Sequence, residues 1–157
     1  MNRPFPFLLV VLAALCLVSC NQPSRVEEYK AEKHRLDSTR LVEQQRSLAY
    51  YQTQLDSLMP VADSLLPLFS YEKNEKYQDH GYYVAKGRNG LRILVRDDGK
   101  EPVLLYQNGK RLNTSSDPMM DRARHLQIVI ADIKELERRI FRTSLEEQKY
   151  EKRLQKQ

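Results

Sequence analysis

Two long segments with a seven-residue apolar repeat flank a central segment of different character, and this arrangement limits the folds open to the chain. In the first segment, residues 24–66, one row of apolar residues repeats every seven residues, and a second row follows it three residues later in the chain. The rows are Leu41, Leu48, Leu55 and Ala62, and Gln44, Tyr51, Leu58 and Leu65. The spacing predicts a long helix with a coiled-coil-like seam, in which Gln44 is the polar member.

The ends of this first helix are marked by familiar residues. Ser24 followed three residues later by Glu27 forms a capping box at the start. Pro67 is expected to end the helix. Pro60 lies inside the repeat, so we expect a kink or the start of a new helix near residues 56–59.

The second repeat predicts a helix over residues 117–156. Ser115 to Asp117 supply a cap, and Pro118 occupies the first helical position. The apolar rows are Leu126, Ile133, Ile140 and Leu154, and Val129, Leu136 and Tyr150, interrupted by Thr143 and Glu147. An interrupted seam between two helices offers few apolar contacts to stabilise a monomer, so we also expect self-association through the helices.

The middle segment, residues 68–112, has the pattern of a small antiparallel sheet. The strand-like runs are 82–86, 91–96 and 103–106, and the turn sequences between them are 87–90 and 97–100. Asn108-Gly109 is another turn, after which residues 110–112 are expected to add a short fourth strand. The residues before the first run, including Glu72 and Glu75, are interpreted as a solvated loop or helical turn.

The predicted fold class is therefore α+β: a long antiparallel helical hairpin with a small β-meander inserted at its tip. Residue 66 is expected to lie opposite residue 117. The alternative is a compact bundle in which Pro60 folds the first helix back on itself.

The amino terminus adds a targeting signal. Phe5 to Val18 is almost wholly apolar and uncharged, with Arg3 before it. The run is too short to span a bilayer as a helix but has the length of a signal-peptide apolar region. It ends in Leu17-Val18-Ser19-Cys20, which resembles the lipobox of bacterial lipoproteins.

That resemblance implies a signal peptide over residues 1–19 and cleavage before Cys20. It also implies a diacylglycerol on the Cys20 sulfur and usually a third acyl chain on the new amino terminus. Residues 20–23 would be the lipidated terminus and a short linker. Because several acyl chains hold a protein firmly, the membrane would be bound through this lipid. Asn21 is not the aspartate that marks inner-membrane retention in enteric bacteria, so the resemblance favours the outer membrane, with the periplasmic or surface side left open.

Composition and motifs exclude several functions. Cys16 would leave with the signal and Cys20 would carry lipid, so no thiol remains for catalysis or zinc binding. His34, His80 and His125 are too far apart in the predicted hairpin to share a metal. Asp79-His80-Gly81 is interpreted as a turn. No nucleophile elbow, phosphate loop or HExxH motif occurs. We therefore expect no enzyme, no cofactor and no metal.

The charge of the chain argues against nucleic acid as a partner. Loss of residues 1–19 leaves 25 Lys and Arg against 21 Asp and Glu, and the two signs are interleaved along the chain.

The predicted sheet carries the candidate binding residues. They are Tyr82, Tyr83, Arg88, Arg92 and Arg96. Flat aromatic rings beside forked cationic donors suit a glycan, an anion or a protein hot spot. The alternative is that the tyrosines fill the sheet's small core and the arginines keep its outer face solvated.

Three functions remain open on the sequence. The favoured one is a non-enzymatic envelope lipoprotein that presents a small β head on a helical stalk to a protein partner. The second is a module for peptidoglycan or an acidic glycan. The third is a periplasmic chaperone that resembles prefoldin in the order of its elements. Residues 21–157 are also loosely similar to the small uncharacterised coiled-coil lipoproteins of Gram-negative anaerobes, a resemblance that implies no activity.

Overall fold

A computed structural model describes residues 24–73 and 80–156. Residues 1–19, predicted to be a signal peptide, and Cys20 lie outside the described residues. The helices are α1, Arg25–Leu65, and α2, Met119–Leu154. The strands are β1, Ser70–Lys73; β2, Gly81–Lys86; β3, Leu91–Arg96; β4, Leu104–Gln107; and β5, Lys110–Leu112. Short 3-10 turns cover Leu66–Leu68 and Arg88–Gly90.

The predicted fold class is confirmed: two long helices pack antiparallel, and a five-stranded antiparallel sheet is inserted between them. The strands follow chain order, β1-β2-β3-β4-β5. The chain divides into two compact units. The terminal unit contains residues 24–42 and 149–156, and the sheet unit contains residues 43–148, of which 74–79 lie outside the described residues.

The caps form as the sequence indicates. Ser24 N donates to Glu27 Oε2 at 2.9 Å, and Glu27 N donates to Ser24 Oγ at 3.3 Å, which completes the capping box. Asp117 Oδ1 accepts from Met119 N at 2.9 Å at the start of α2. Each carboxylate or hydroxyl satisfies an amide that the first helical turn leaves without a partner.

Pro60 does not divide the first helix. α1 runs unbroken from Arg25 to Leu65 with Pro60 inside it, so the expectation of a new helix near residues 56–59 is wrong, as is the bundle in which the helix folds back. Proline removes one amide donor from the helix. The seam residues on either side of it, Leu58 and Ala62, are partly and fully buried, so the packing of the seam continues past the proline.

The register of the helices differs from the predicted one. In the terminal unit Asp37 lies beside Arg153, and in the sheet unit Tyr51 lies beside Arg139, so partner numbers sum to about 190. The predicted pairing of residue 66 with residue 117 would give a sum about seven lower. The error has a physical cause: Asp117 contacts the turn after β2 instead of α1, so the first turns of α2 extend past the end of α1 and pack on the sheet.

The sheet contains a strand that the sequence did not predict. β1 pairs antiparallel with β2 through Tyr71 opposite Tyr83 and Glu72 opposite Tyr82, so the expected loop or helical turn at Glu72 is a strand. Glu75 lies outside the described residues. The short strand after Asn108-Gly109 is confirmed as β5.

The core lies between the inner face of the sheet and the helices. It joins Ala85, Leu91, Ile93, Val95 and Leu105 of the sheet to Leu65 of α1 and Met120, Ala123, Leu126 and Ile130 of α2. Ile93, Val95, Leu105 and Leu126 are the largest fully buried side chains. Full burial of each contributes about 1.5–3 kcal/mol, so this cluster holds the sheet against α2.

The turn between β3 and β4 fixes the sheet on α2 at a second point. Gly99 has φ +65°, and Gln127 Nε2 donates to its carbonyl at 2.9 Å. A Cβ at Gly99 would lie 2.6 Å from the backbone nitrogen of Ala131. Only glycine allows the turn to approach the helix backbone this closely.

Candidate functional site

The register of the sheet defines two faces. The face opposite the core, here called the outer face, carries every second residue of each strand. These residues are Ser70, Glu72, Tyr82, Val84, Lys86, Arg92, Leu94, Arg96, Leu104, Tyr106 and Arg111. Both helices contribute to the core on the inner face, so the outer face is the side of the sheet available to a partner.

The centre of the outer face is apolar and half-buried. Tyr82, Leu94, Leu104 and Tyr106 surround a depression of about 320 Å³, and Arg92 lines one side of it. Tyr106 lies directly opposite Arg92 in the register, and Leu104 lies opposite Leu94. The register of β2, β3 and β4 therefore places aromatic, aliphatic and cationic groups on one surface.

Arg92 is tied to another strand of the same sheet. Its Nη2 lies 2.5 Å from Glu72 Oε2, and both side chains are half exposed. Glu72 is aligned with Tyr82 of β2, and Arg92 is aligned with Lys86, so the ion pair crosses β2 above Val84. Val84 is only 3% exposed although it lies on the outer face, which this bridge explains.

Arg96 is held by two carboxylates. Its Nη1 donates to Glu101 Oε1 at 2.5 Å, and its Nε lies 3.2 Å from Asp98 Oδ1. Partial burial lowers the pKa of Arg96, but the two carboxylates outweigh this and raise it, so the side chain remains a cation. Two of its three guanidinium nitrogens, Nη1 and Nε, therefore already lie beside acids of the same chain.

The structure does not bring Tyr83 and Arg88 together with the other three candidate residues on the outer face. Tyr83 points to the inner face, where it packs on the core with its ring centroid 5.3 Å from that of Tyr71. Neighbouring residues of a strand point to opposite faces, so Tyr82 and Tyr83 cannot both accompany Arg92.

Arg88 lies in the turn before β3. Its backbone amide donates to Asp117 Oδ2 at 2.7 Å. The amides of Arg88 and Met119 together lower the pKa of the Asp117 carboxyl. This contact orders the start of α2 and is separate from the outer face.

Sequence reasoning missed a cluster at Asp97. Its Oδ2 accepts from Gly81 N at 2.7 Å and from the Tyr71 hydroxyl at 3.0 Å, and its Oδ1 lies 3.3 Å from His80 Nδ1. The bond to Asp97 raises the pKa of Tyr71. Tyr71 and Asp97 are 26 residues apart, and no motif links them. The cluster joins β1, β2 and the end of β3, so we assign it to attachment of the edge strand β1.

Two further features bear on the site. Within residues 24–73 and 80–156, no three His, Cys, Asp or Glu side chains are grouped closely enough to hold a metal ion. In the same residues, no helix combines the length and apolar character needed to cross a bilayer. No protein-family model matches this chain, and no curated protein or solved structure matches it either.

Proposed function

We propose that this chain is a non-enzymatic bacterial envelope lipoprotein whose outer sheet face binds a protein partner. The observation that carries the docking half of the proposal is the apolar centre of that face, formed by Tyr82, Leu94, Leu104 and Tyr106 and surrounded by charged side chains. Protein interfaces combine an aromatic and aliphatic centre with a polar rim in this way.

The membrane half of the proposal depends on Leu17 to Cys20. Mass measurement of the chain purified from membranes tests it directly. We expect a mature chain that begins at Cys20 and carries a diacylglycerol, and a Cys20→Ser variant that is neither lipidated nor cleaved. An unmodified Cys20 in the mature chain would contradict the anchor.

The charges on the rim of the outer face support a partner with acidic edges. Lys86 and Arg111 are exposed, and neither forms an ion pair within the described part of the chain. Arg92 and Arg96 are neutralised by Glu72 and by Asp98 and Glu101. A partner with an apolar centre and acidic edges would complement this surface, because rim charges steer association.

A charge placed in the apolar centre tests the docking face. Leu94→Lys changes the outer face, whereas Leu68→Lys changes an exposed leucine in the turn after α1. In mild detergent extracts of membranes, we expect a complex larger than the chain alone for the native protein and for Leu68→Lys. For Leu94→Lys we expect the complex to be lost. A complex that survives Leu94→Lys would place the interface elsewhere.

The glycan alternative is less supported. A carboxylate or phosphate of a polymer would have to displace Glu72 from Arg92, or Asp98 and Glu101 from Arg96. Co-sedimentation with purified sacculi separates the two proposals. Sedimentation that is abolished by Arg92→Ala with Arg96→Ala would favour the glycan, whereas no sedimentation favours the protein partner.

Self-association through the helices remains a separate proposal. Leu48, Leu55 and Leu58 occupy the seam but are only half-buried in the sheet unit, which leaves apolar surface for another helix. A prefoldin-like chaperone would in addition need a trimer or hexamer. Light scattering of the purified protein distinguishes these states, and a monomer would contradict both.

A further inference from the structure

The positive charge of the chain is concentrated in the terminal unit. Its described residues, 24–42 and 149–156, contain nine Lys and Arg and five Asp and Glu. Residues 43–148 contain sixteen of each sign. Apart from the charge of Arg3, the entire net charge of the chain therefore belongs to the terminal unit, whose first helix follows Cys20 along the chain.

The two helices of the terminal unit share one side that carries no acid. In the heptad notation that places the seam at a and d, this side is formed by positions c and g of both helices. The residues are Val26, Tyr29, Lys33, Leu36 and Arg40 of α1, and Lys149, Arg153 and Lys156 of α2. We call this set the basic face. The acids of the unit, Glu27, Glu28, Glu32, Asp37 and Glu151, all occupy other positions.

Contacts within the terminal unit place the two halves of the basic face together. The guanidinium carbons of Arg40 and Arg153 lie 6.0 and 5.5 Å from the ring centroid of Tyr150, and Lys149 Nζ lies 6.0 Å from it. These cation–π contacts fix cations from both helices around one seam tyrosine. The charges are therefore gathered on one surface.

The basic face also exposes apolar groups. Tyr29 is 69% exposed, Val26 and Leu36 are exposed as well, and none of the three contributes to the seam. Lys33 and Lys156 are exposed and form no ion pair within the described residues. A helical surface that combines lysine, arginine, tyrosine and leucine without acids is typical of segments that lie in an anionic lipid interface.

We propose that the basic face docks on an anionic phospholipid surface. The inference deepens the proposed function, since it relies on the lipid at Cys20 to hold the chain at a membrane. Only residues 21–24 separate Cys20 from α1, a reach of at most about 3.6 Å per residue. A second copy of the chain is a poorer occupant, because two basic faces would bring like charges together.

The chain has no tryptophan, so one introduced residue can report the contact. Tyr29→Trp places the reporter on the basic face. Phe141→Trp, at a 64% exposed position of the sheet unit, is the matched control. Each protein is reconstituted into phosphatidylcholine vesicles with or without phosphatidylglycerol. If its mass shows no lipid at Cys20, it is instead mixed with preformed vesicles of the same compositions.

We expect a blue shift and quenching by brominated lipid for Tyr29→Trp in phosphatidylglycerol vesicles, reversed by high salt. We expect neither change in neutral vesicles, and neither for Phe141→Trp. Equal emission from Tyr29→Trp in both vesicle types would overturn the proposal. So would an equal shift caused by soluble polyglutamate without vesicles, which would assign the face to an acidic polymer. Because the mass of the protein shows separately whether Cys20 carries lipid, a failure of the docking proposal is distinguishable from a failure of the proposed lipid anchor.

Two matched double substitutions distinguish docking through the basic face from a general effect of net charge. Lys33→Gln with Lys156→Gln removes two cations from the basic face, and Arg25→Gln with Lys152→Gln removes two from other positions of the same unit. Each cation near an anionic surface changes the equilibrium about fivefold, so the first pair should weaken docking about 30-fold. The second pair should weaken it much less. Equal weakening by both pairs would overturn docking through this face.

Discussion

The close approach of the β3–β4 turn to α2 gives the sharpest stability prediction. Gly99→Ala forces an alanine to φ +65°, which costs about 1–2 kcal/mol because left-handed backbone crowds the Cβ. The new Cβ would also lie 2.6 Å from Ala131 N and 2.8 Å from Gln127 O. Relief requires the turn to move away from α2 by several tenths of an ångström or more.

That movement has two further costs. It lengthens the 2.9 Å hydrogen bond from Gln127 Nε2 to Gly99 O, which contributes about 1 kcal/mol. It also forces a packed contact apart, typically at about 1–3 kcal/mol. The total loss for Gly99→Ala is therefore about 4 kcal/mol, a large share of the roughly 5–15 kcal/mol of an ordinary domain.

Gly109→Ala is the matched control. Gly109 also has a positive φ, +75°, but no atom lies within 4 Å of its added Cβ. Its substitution should cost only the backbone term of about 1–2 kcal/mol. Urea unfolding followed by far-ultraviolet circular dichroism gives both free energies. Equal losses for the two variants would refute the conclusion that the turn is packed against α2.

Three other perturbations test the fold. Leu126→Ala should lower the free energy of unfolding by about 3 kcal/mol, because it leaves a cavity in the core, and Leu145→Ala, half exposed on the same helix, should be near neutral in the same urea assay. The lowered pKa of Asp117 means that its contribution to folding stability is present above the carboxyl's unfolded pKa and is lost as pH falls through the folded pKa. The free energy of unfolding of Asp117→Asn should therefore depend less on pH in acid. An unchanged pH dependence would contradict the role of Asp117 as the cap of α2. The raised pKa of Tyr71 means that its contribution to folding stability is present below the phenol's unfolded pKa and is lost as pH rises through the folded pKa. In thermal unfolding, the Tyr71→Phe protein should therefore lose less stability in alkali than the native protein. An equal loss would contradict the hydrogen bond to Asp97.

Local patterns predicted the helices and most of the sheet. Every member of the heptad rows from Leu41 to Leu65 is partly or fully buried in α1. Thr143 and Glu147 are half-buried as interrupting members of the α2 seam. Asn108 and Gly109 both have positive φ, as their turn requires. These features depend on residues close together in the chain, which is why sequence alone identifies them.

The errors arose where distant residues decide the structure. β1, with the sequence Ser-Tyr-Glu-Lys, has no apolar alternation, and its attachment depends on Asp97, 26 residues after Tyr71. The register of the helices depends on Asp117 binding the turn at Arg88. In the candidate site, alternation predicted that Arg92 and Arg96 share a face, but it could not indicate their ion pairs with Glu72, Asp98 and Glu101.

The separation of Tyr83 from Tyr82 could have been predicted. The two-residue period of a strand already excludes Tyr82 and Tyr83 from a common face, so the correction was available from the sequence. The structure adds Tyr106, which the register places opposite Arg92. Tyr82 and Tyr106 are therefore the aromatic residues of the outer face.

Crosslinking in living cells tests the central claim, that the outer face binds a protein partner, most directly. A photoreactive residue replaces Tyr106 on the outer face or, as the control, Tyr50, an exposed tyrosine of α1 in the same unit. The proposed function predicts one discrete adduct at position 106, with an added mass that is not a multiple of the chain's own, and no such adduct at position 50. Adducts at position 50 alone, or only at twice the mass of the chain, would contradict it and make the helices the binding surface.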